Sequence, residues 1–155
     1  MYLPIKILNK NEKQEIENKL KNQFGIKSIS GTLLKRGQER IFLYQGEFTE
    51  SEIKTLEKTS QVERVGLYFC KFQNEEIRLS IEGTQILKQQ IKKNIFELTK
   101  EQSQTWMQGS EINIKSNLKG IVAMKYKEDF LGCGKASVEK ITNFIPKNRR
   151  LKIKP

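Results

Sequence analysis

The sequence predicts an α+β protein. A small α+β domain is expected over residues 1–74, and a run of short strands forming a small mixed β-barrel, closed or nearly closed, over 75–155. Three observations predict it. The first half places two segments with apolar residues at helical spacing among segments that alternate apolar and polar, in the order β-α-β-β-α-β. The second half is a series of short apolar segments separated by glycines. Between the two, Gln73-Asn74-Glu75-Glu76 is polar and free of apolar periodicity, which makes it the best place for a boundary.

Leu3 to Leu8 alternates and reads as a strand. Asn9 and Asn11 offer caps for a helix carrying Ile16, Leu20 and Phe24 on one face, and Gly25 is placed to stop it. Ile26 to Ile29, Thr32 to Lys35 and Arg40 to Tyr44 read as strands punctuated by Gly31, Gly37 and Gly46. Thr49 or Ser51 caps a second helix with Ile53 and Leu56 on its inner face. Val62 to Phe72 is a strong strand, with Tyr68 and Phe72 on one face and Phe69 on the other.

Ile77, Leu79 and Ile81 alternate as a further strand, and Gly83 precedes a helical turn containing Ile86 and Leu87. Ile95 to Leu98 reads as a strand and residues 99–105 as a polar connection leading to Trp106, expected to be a packing residue. Ile112 with Ile114, Gly120 to Tyr126, and Phe130 to Leu131 complete the strands. The last stretch, Val138 to Pro155, is basic, with Ile141, Phe144, Ile145 and Leu151 interleaved.

Charge points to the partner. Among 155 residues, 29 Lys and Arg face 18 Asp and Glu, so the chain carries +11 and attracts polyanions. A merely Lys-rich composition would give the same total. Distribution separates the two: residues 132–155 hold seven cations against one acid, Glu139, and therefore more than half of the net charge. A solvated Lys tail is the plain alternative. Against it, Ile141, Phe144, Ile145 and Leu151 can anchor the segment, and Pro146 stiffens it.

Catalytic patterns are missing. There is no His, which removes the commonest general base and metal ligand, and Glu101, Glu111 and Asp129 are scattered acids without a nucleophile beside them. Cys70 and Cys133 lack CxxC spacing, so neither a zinc site nor a disulfide framework is indicated. We therefore expect no enzyme activity, no metal and no cofactor. No apolar run approaches the ~20 residues that span a bilayer, and Met1 to Lys10 lacks the pattern of a secretory signal. The expectation is a cytoplasmic protein with no membrane partner.

The segment Asp129-Phe130-Leu131-Gly132-Cys133-Gly134-Lys135 has glycines but is no phosphate-binding loop of the Walker type, because Ala136 stands where Ser or Thr is needed. It reads as a strand-to-loop turn where backbone approaches a ligand, with Lys135 pointing into the site.

These C-terminal residues carry a resemblance. Gly120-Ile121-Val122-Ala123-Met124-Lys125-Tyr126 and the Leu131-Gly132-Cys133-Gly134 that follows look like the last strands of PUA domains. Lys140-Ile141-Thr142-Asn143-Phe144-Ile145-Pro146-Lys147-Asn148-Arg149-Arg150-Leu151 is similar to the RNA-binding, PUA-like tail of Fmu/Sun-type (NOL/NOP-like) ribosomal RNA cytosine methyltransferases. The methyltransferase body, with its cofactor loop and catalytic cysteines, has no counterpart in these residues. An α+β half before a PUA-like half also looks like two-domain pre-PUA/PUA factors of ribosome assembly.

The resemblance implies RNA binding, to ribosomal or transfer RNA, in ribosome biogenesis or RNA modification. Lys125, Lys135, Lys147, Arg149, Arg150 and Lys152 are the expected phosphate contacts; Asn143 and Phe144 are the expected base contacts, and Gly132 and Gly134 let backbone approach the RNA. The resemblance also implies ribosomal particles or an RNA-modifying enzyme as further partners. The alternatives are an accessory subunit that positions RNA for a separate methyltransferase, and a basic module that binds an acidic protein.

Overall fold

The computed structural model describes residues 4–59 and 66–152. The first half is a five-stranded antiparallel meander of β1 (Ile5–Ile7), β2 (Thr32–Arg36), β3 (Arg40–Tyr44), β4 (Leu67–Gln73) and β5 (Glu76–Leu79), neighbours in that order. Helix α1 (Lys10–Phe24) follows β1, and α2 (Glu50–Thr59) follows β3. The expected α+β order is present. Leu3 and residues 62–65 of the expected strands lie outside the described residues.

Local chemistry explains both helices. Asn9 accepts from the Glu12 amide at 2.8 Å while the Glu12 carboxylate accepts from the Asn9 amide at 3.0 Å. Gly25, at φ 80°, closes the C-terminus. Thr49 and Glu52 make the same reciprocal pair at the start of α2. Ile16, Leu20 and Phe24 bury one face of α1 against the inner face of the sheet, where Leu33, Ile41 and Leu43 lie. Ile53 of α2 packs with Ile5 and Leu34 on the outer face, at the β1–β2 corner.

Several expectations are corrected. Ile26 to Ile29 forms no strand. The Gln90 side chain accepts from the amides of Lys27 and Ser28 and donates to the Ser28 carbonyl, and Glu17 accepts from Ile29, so side chains replace the ladder. Tyr68 and Phe72 lie on opposite faces, because a bulge sets Cys70 opposite Ile41 and Tyr68 opposite Phe42. Phe69 is the extra residue, and beyond it the alternation is reversed: Phe72 joins the inner core while Tyr68 meets Phe42 outside. The boundary stretch is the turn of the β4–β5 hairpin, with Asn74 at φ 53° and Glu75 at φ 63°, the two left-handed positions of a type I′ turn. Ile77 and Leu79 therefore extend the first sheet, and Ile81 opens helix α3 (Ile81–Ile86) rather than continuing a strand.

The second sheet has the order β6 (Ile95–Glu97), β7 (Gly120–Tyr126), β8 (Asp129–Ala136), β9 (Ile141–Asn143), with β6 and β7 parallel and the rest antiparallel. Among the described residues no ladder joins β9 to β6, so the sheet is mixed and open. Ile112 makes one isolated bridge to Ile141, and Ile114 forms no strand. Residues 99–105 are no polar connection. Helix α4 (Lys100–Met107) occupies them, capped by Thr99 and Gln102 in another reciprocal pair. Trp106 is fully buried as expected, its Nε1 donating to the Leu131 carbonyl at 2.9 Å.

Strand β7 is buried on both faces and joins the two halves. Ile121 and Ala123 share one apolar cluster with Leu20, Phe24 and Phe69, while Val122 and Met124 share the second with Trp106 and Ile141.

Candidate nucleic-acid interface

The C-terminal segment is anchored, not a loose tail. Asn143, at the end of β9, donates both amide hydrogens to protein carbonyls, Trp106 at 2.8 Å and Ser110 at 3.0 Å, and accepts from Ile145 at 2.8 Å. Ile145 is buried in the second cluster. A single 3₁₀ turn, Lys147–Arg149, follows Pro146. Arg150 Nε donates back to the Ile145 carbonyl at 3.0 Å, its side chain lies over Gly109, and Leu151 donates to the Met107 carbonyl at 2.7 Å. Asn143 and Arg150 thus hold the segment against the C-terminal end of α4.

The cations sort by environment. Lys147 and Lys152 are exposed and have no acidic partner among the described residues. Arg149 pairs with Glu82 of α3, and Lys135 pairs with Glu76 of β5 at 3.2 Å, both roughly half exposed at the surface. Exposed pairs of this kind contribute ~0–1 kcal/mol and give way readily to a phosphate. Lys125 stands apart. It sits opposite Phe130 at the hairpin end of β7 and β8, with Nζ 5.7 Å from that ring, whereas Lys135 stands opposite Ile121 at the other end. Five residues of strand separate the two ends, roughly 17 Å.

The glycine turn is corrected. Gly132, Cys133 and Gly134 lie inside β8 and are buried. Gly132 donates its amide to the Thr84 hydroxyl at 3.1 Å, which binds β8 to α3. Gly134 runs beneath Trp106. Here the glycines bring protein to protein.

Phe144 is half-buried, and the Arg78 guanidinium lies over its ring, 3.8 Å from the centroid. That contact joins the C-terminal segment to β5. Beside it a cleft of about 70 Å³ opens between Tyr68, Arg78, Ser80, Gly132, Phe144 and Pro146. Neither Arg78 nor Tyr68 is among the site residues expected from the sequence: both sit in strands, and only the register that aligns β4 with β5 and the docking of residues 143–151 bring them to Phe144.

The two cysteines are inert structural groups. Burial pushes the Cys133 thiol up to about 12, and burial with the nearby Cys133 raises that of Cys70 as well. Among the described residues no cluster of metal-ligating side chains occurs, and no helix is long and apolar enough to cross a membrane.

Residues 93–151 match the family model described as the methyltransferase RsmF PUA domain. The match begins just before β6 and ends with the anchored segment, so it takes in the second sheet and α4 and leaves the five-stranded sheet outside. No curated protein matches the chain. The C-terminal part is a PUA-like domain resembling the tail of Fmu/Sun-type methyltransferases. Domains of this kind are usually RNA-binding modules.

Proposed function

We propose that the chain is a non-catalytic, cytoplasmic RNA-binding protein that acts on ribosomal or transfer RNA, in ribosome biogenesis or RNA modification. The observation that carries this reading is the PUA match over residues 93–151. The +11 net charge supports it. Lys147 and Lys152 are the first phosphate contacts, joined by Arg149 and Lys135 when RNA displaces Glu82 and Glu76. Asn143 and Arg150 keep that surface in place rather than touching RNA.

A double Lys147→Ala/Lys152→Ala variant tests it. Binding to a structured RNA, followed by fluorescence anisotropy across salt concentrations, should weaken, and the slope of log K against log salt should fall by about 1 to 2. Unchanged affinity and slope would remove these residues from the interface. Crosslinking in cell extract at two salt concentrations, with sequencing of the bound fragments, then identifies the RNA.

A second reading is favoured by the kind of protein whose domain matches: an accessory module that positions RNA for a separate methyltransferase. Co-purification with such an enzyme, dependent on residues 93–151, would establish it.

A further inference from the structure

The outer face of the five-stranded sheet carries a line of cations that the PUA match does not reach. Arg36 of β2 stands opposite Arg40 of β3, Arg40 opposite Lys71 of β4, and Lys71 opposite Arg78 of β5. Four positive side chains thus occupy four adjacent strands at one level. Like charges directly opposite one another weaken strand pairing. Glu39 approaches Lys71 at 3.3 Å, and the Phe144 ring receives Arg78.

Aromatic residues border the row. Tyr68 is half-buried on the same face, its ring 5.7 Å from that of Phe42. Burial raises the Tyr68 phenol above its ordinary value, and Cys70 adds to this, while the charges of Arg78 and Arg40 pull it back; Arg78 and Tyr68 line the same cleft. Helix α2 packs at the β1–β2 corner, with Ile5 and Leu34, beside the Arg36 end of the row.

We propose that this row is a second RNA-binding surface, a track for the phosphates of a single strand that runs across the sheet toward Phe144 and the C-terminal segment. Three interstrand spacings give the row a length of about 14 Å. A stacked strand has one phosphate per ~3.4 Å and an extended one fewer, so the row serves about two to four phosphates. Tyr68 offers a ring for a base beside the track, the combination of basic groove and aromatic platform that holds single strands without sequence preference. An acidic protein segment would satisfy the same charges, but the row continues at Arg78–Phe144 into the domain read above as RNA-binding. The inference rests on the RNA-binding reading above.

The test compares three full-length proteins, each checked for an unchanged thermal transition: wild type, Arg40→Ala/Lys71→Ala and Lys147→Ala/Lys152→Ala. The probe is a fluorescein-labelled single-stranded RNA of mixed sequence, long enough to reach both surfaces, and the readout is anisotropy at several salt concentrations. Loss of two phosphate contacts should lower the salt slope of Arg40→Ala/Lys71→Ala by about 1.4, with weaker binding. If only the Lys147→Ala/Lys152→Ala variant loses affinity, the sheet track is overturned and the C-terminal interface stands. If neither variant changes and the wild type binds, both surfaces are overturned. Should the wild type bind an acidic polypeptide and not the RNA, the track is overturned together with the RNA reading. A Tyr68→Leu variant separates stacking from charge: its affinity should drop about fivefold or more at unchanged slope.

Discussion

At Gly134 the backbone of β8 passes under the edge of the Trp106 ring. A methyl group built there would lie 2.7 Å from Trp106 Cη2 and 2.6 Å from Ile141 Cγ2, both in the apolar cluster around α4. Neither neighbour is the free end of a flexible side chain; Trp106 is fully buried and held by its bond to the Leu131 carbonyl. The cost of Gly134→Ala is therefore that of overpacking, about 1–3 kcal/mol, visible as a lower midpoint in denaturant with little change in slope. An unchanged midpoint would show that α4 can shift away from the sheet. The same residue explains a misreading. Gly132-Cys133-Gly134 has the composition of a ligand loop, yet small residues serve close packing equally well, and only the position of Trp106 decides between the two.

At the scale of the element, two helices show what local sequence can and cannot disclose. Helix α1 was legible because three signals agree: a reciprocal cap at Asn9 and Glu12, apolar residues at i, i+4 and i+8, and a stopping glycine. Helix α4 has only the cap. Of its eight residues, Trp106 and Ser103 are the buried ones, so no apolar stripe announces it, and Thr99 with Gln102 was the one signal present. The stretch 26–29 fails for the opposite reason. Its two isoleucines between Gly25 and Gly31 imitate a short strand, while its partner is Gln90, more than sixty residues away in sequence. The cation row was hidden in the same way: Arg40 and Lys71 lie in segments read as strands, but the bulge at Phe69 sets the register that lines them up.

Because α4 has little else at its N-terminus, its cap should be measurable. Thr99→Ala removes the acceptor for the Gln102 amide, 3.1 Å away, and is expected to lower stability by about 1 kcal/mol, with Thr99→Ser recovering most of it. Equal stability of both variants would mean that the buried Trp106 alone fixes the helix.

The whole molecule turns on how its two halves meet. The largest apolar cluster draws Leu20 and Phe24 from α1, Phe69 and Cys70 from β4, and Ile121, Ala123 and Cys133 from the second sheet. Halves of ~75 residues would each be marginal alone, so a shared core makes cooperative unfolding the expected behaviour. Three probes report on different places. Trp106 fluorescence follows the cluster around α4, far-UV ellipticity follows both sheets, and the thiols of Cys70 and Cys133 follow the junction. Buried and held protonated up to about 12, the Cys133 thiol should resist a thiol reagent at pH 8 in the native protein, and Cys70 likewise; in the unfolded chain both ionise near ~8.5 and react. The raised values also set a sign: the native state favours the neutral thiols, so stability is full below about 8.5 and declines as pH rises toward 12. At neutral pH the three denaturation curves should coincide. Thiol exposure at lower denaturant than the loss of Trp106 packing would mean that the halves part before either unfolds, and residues 93–151 would then behave as a separable RNA-binding module. Coincident curves would mean that the five-stranded sheet holds the PUA-like part in shape and that the two halves form one rigid body.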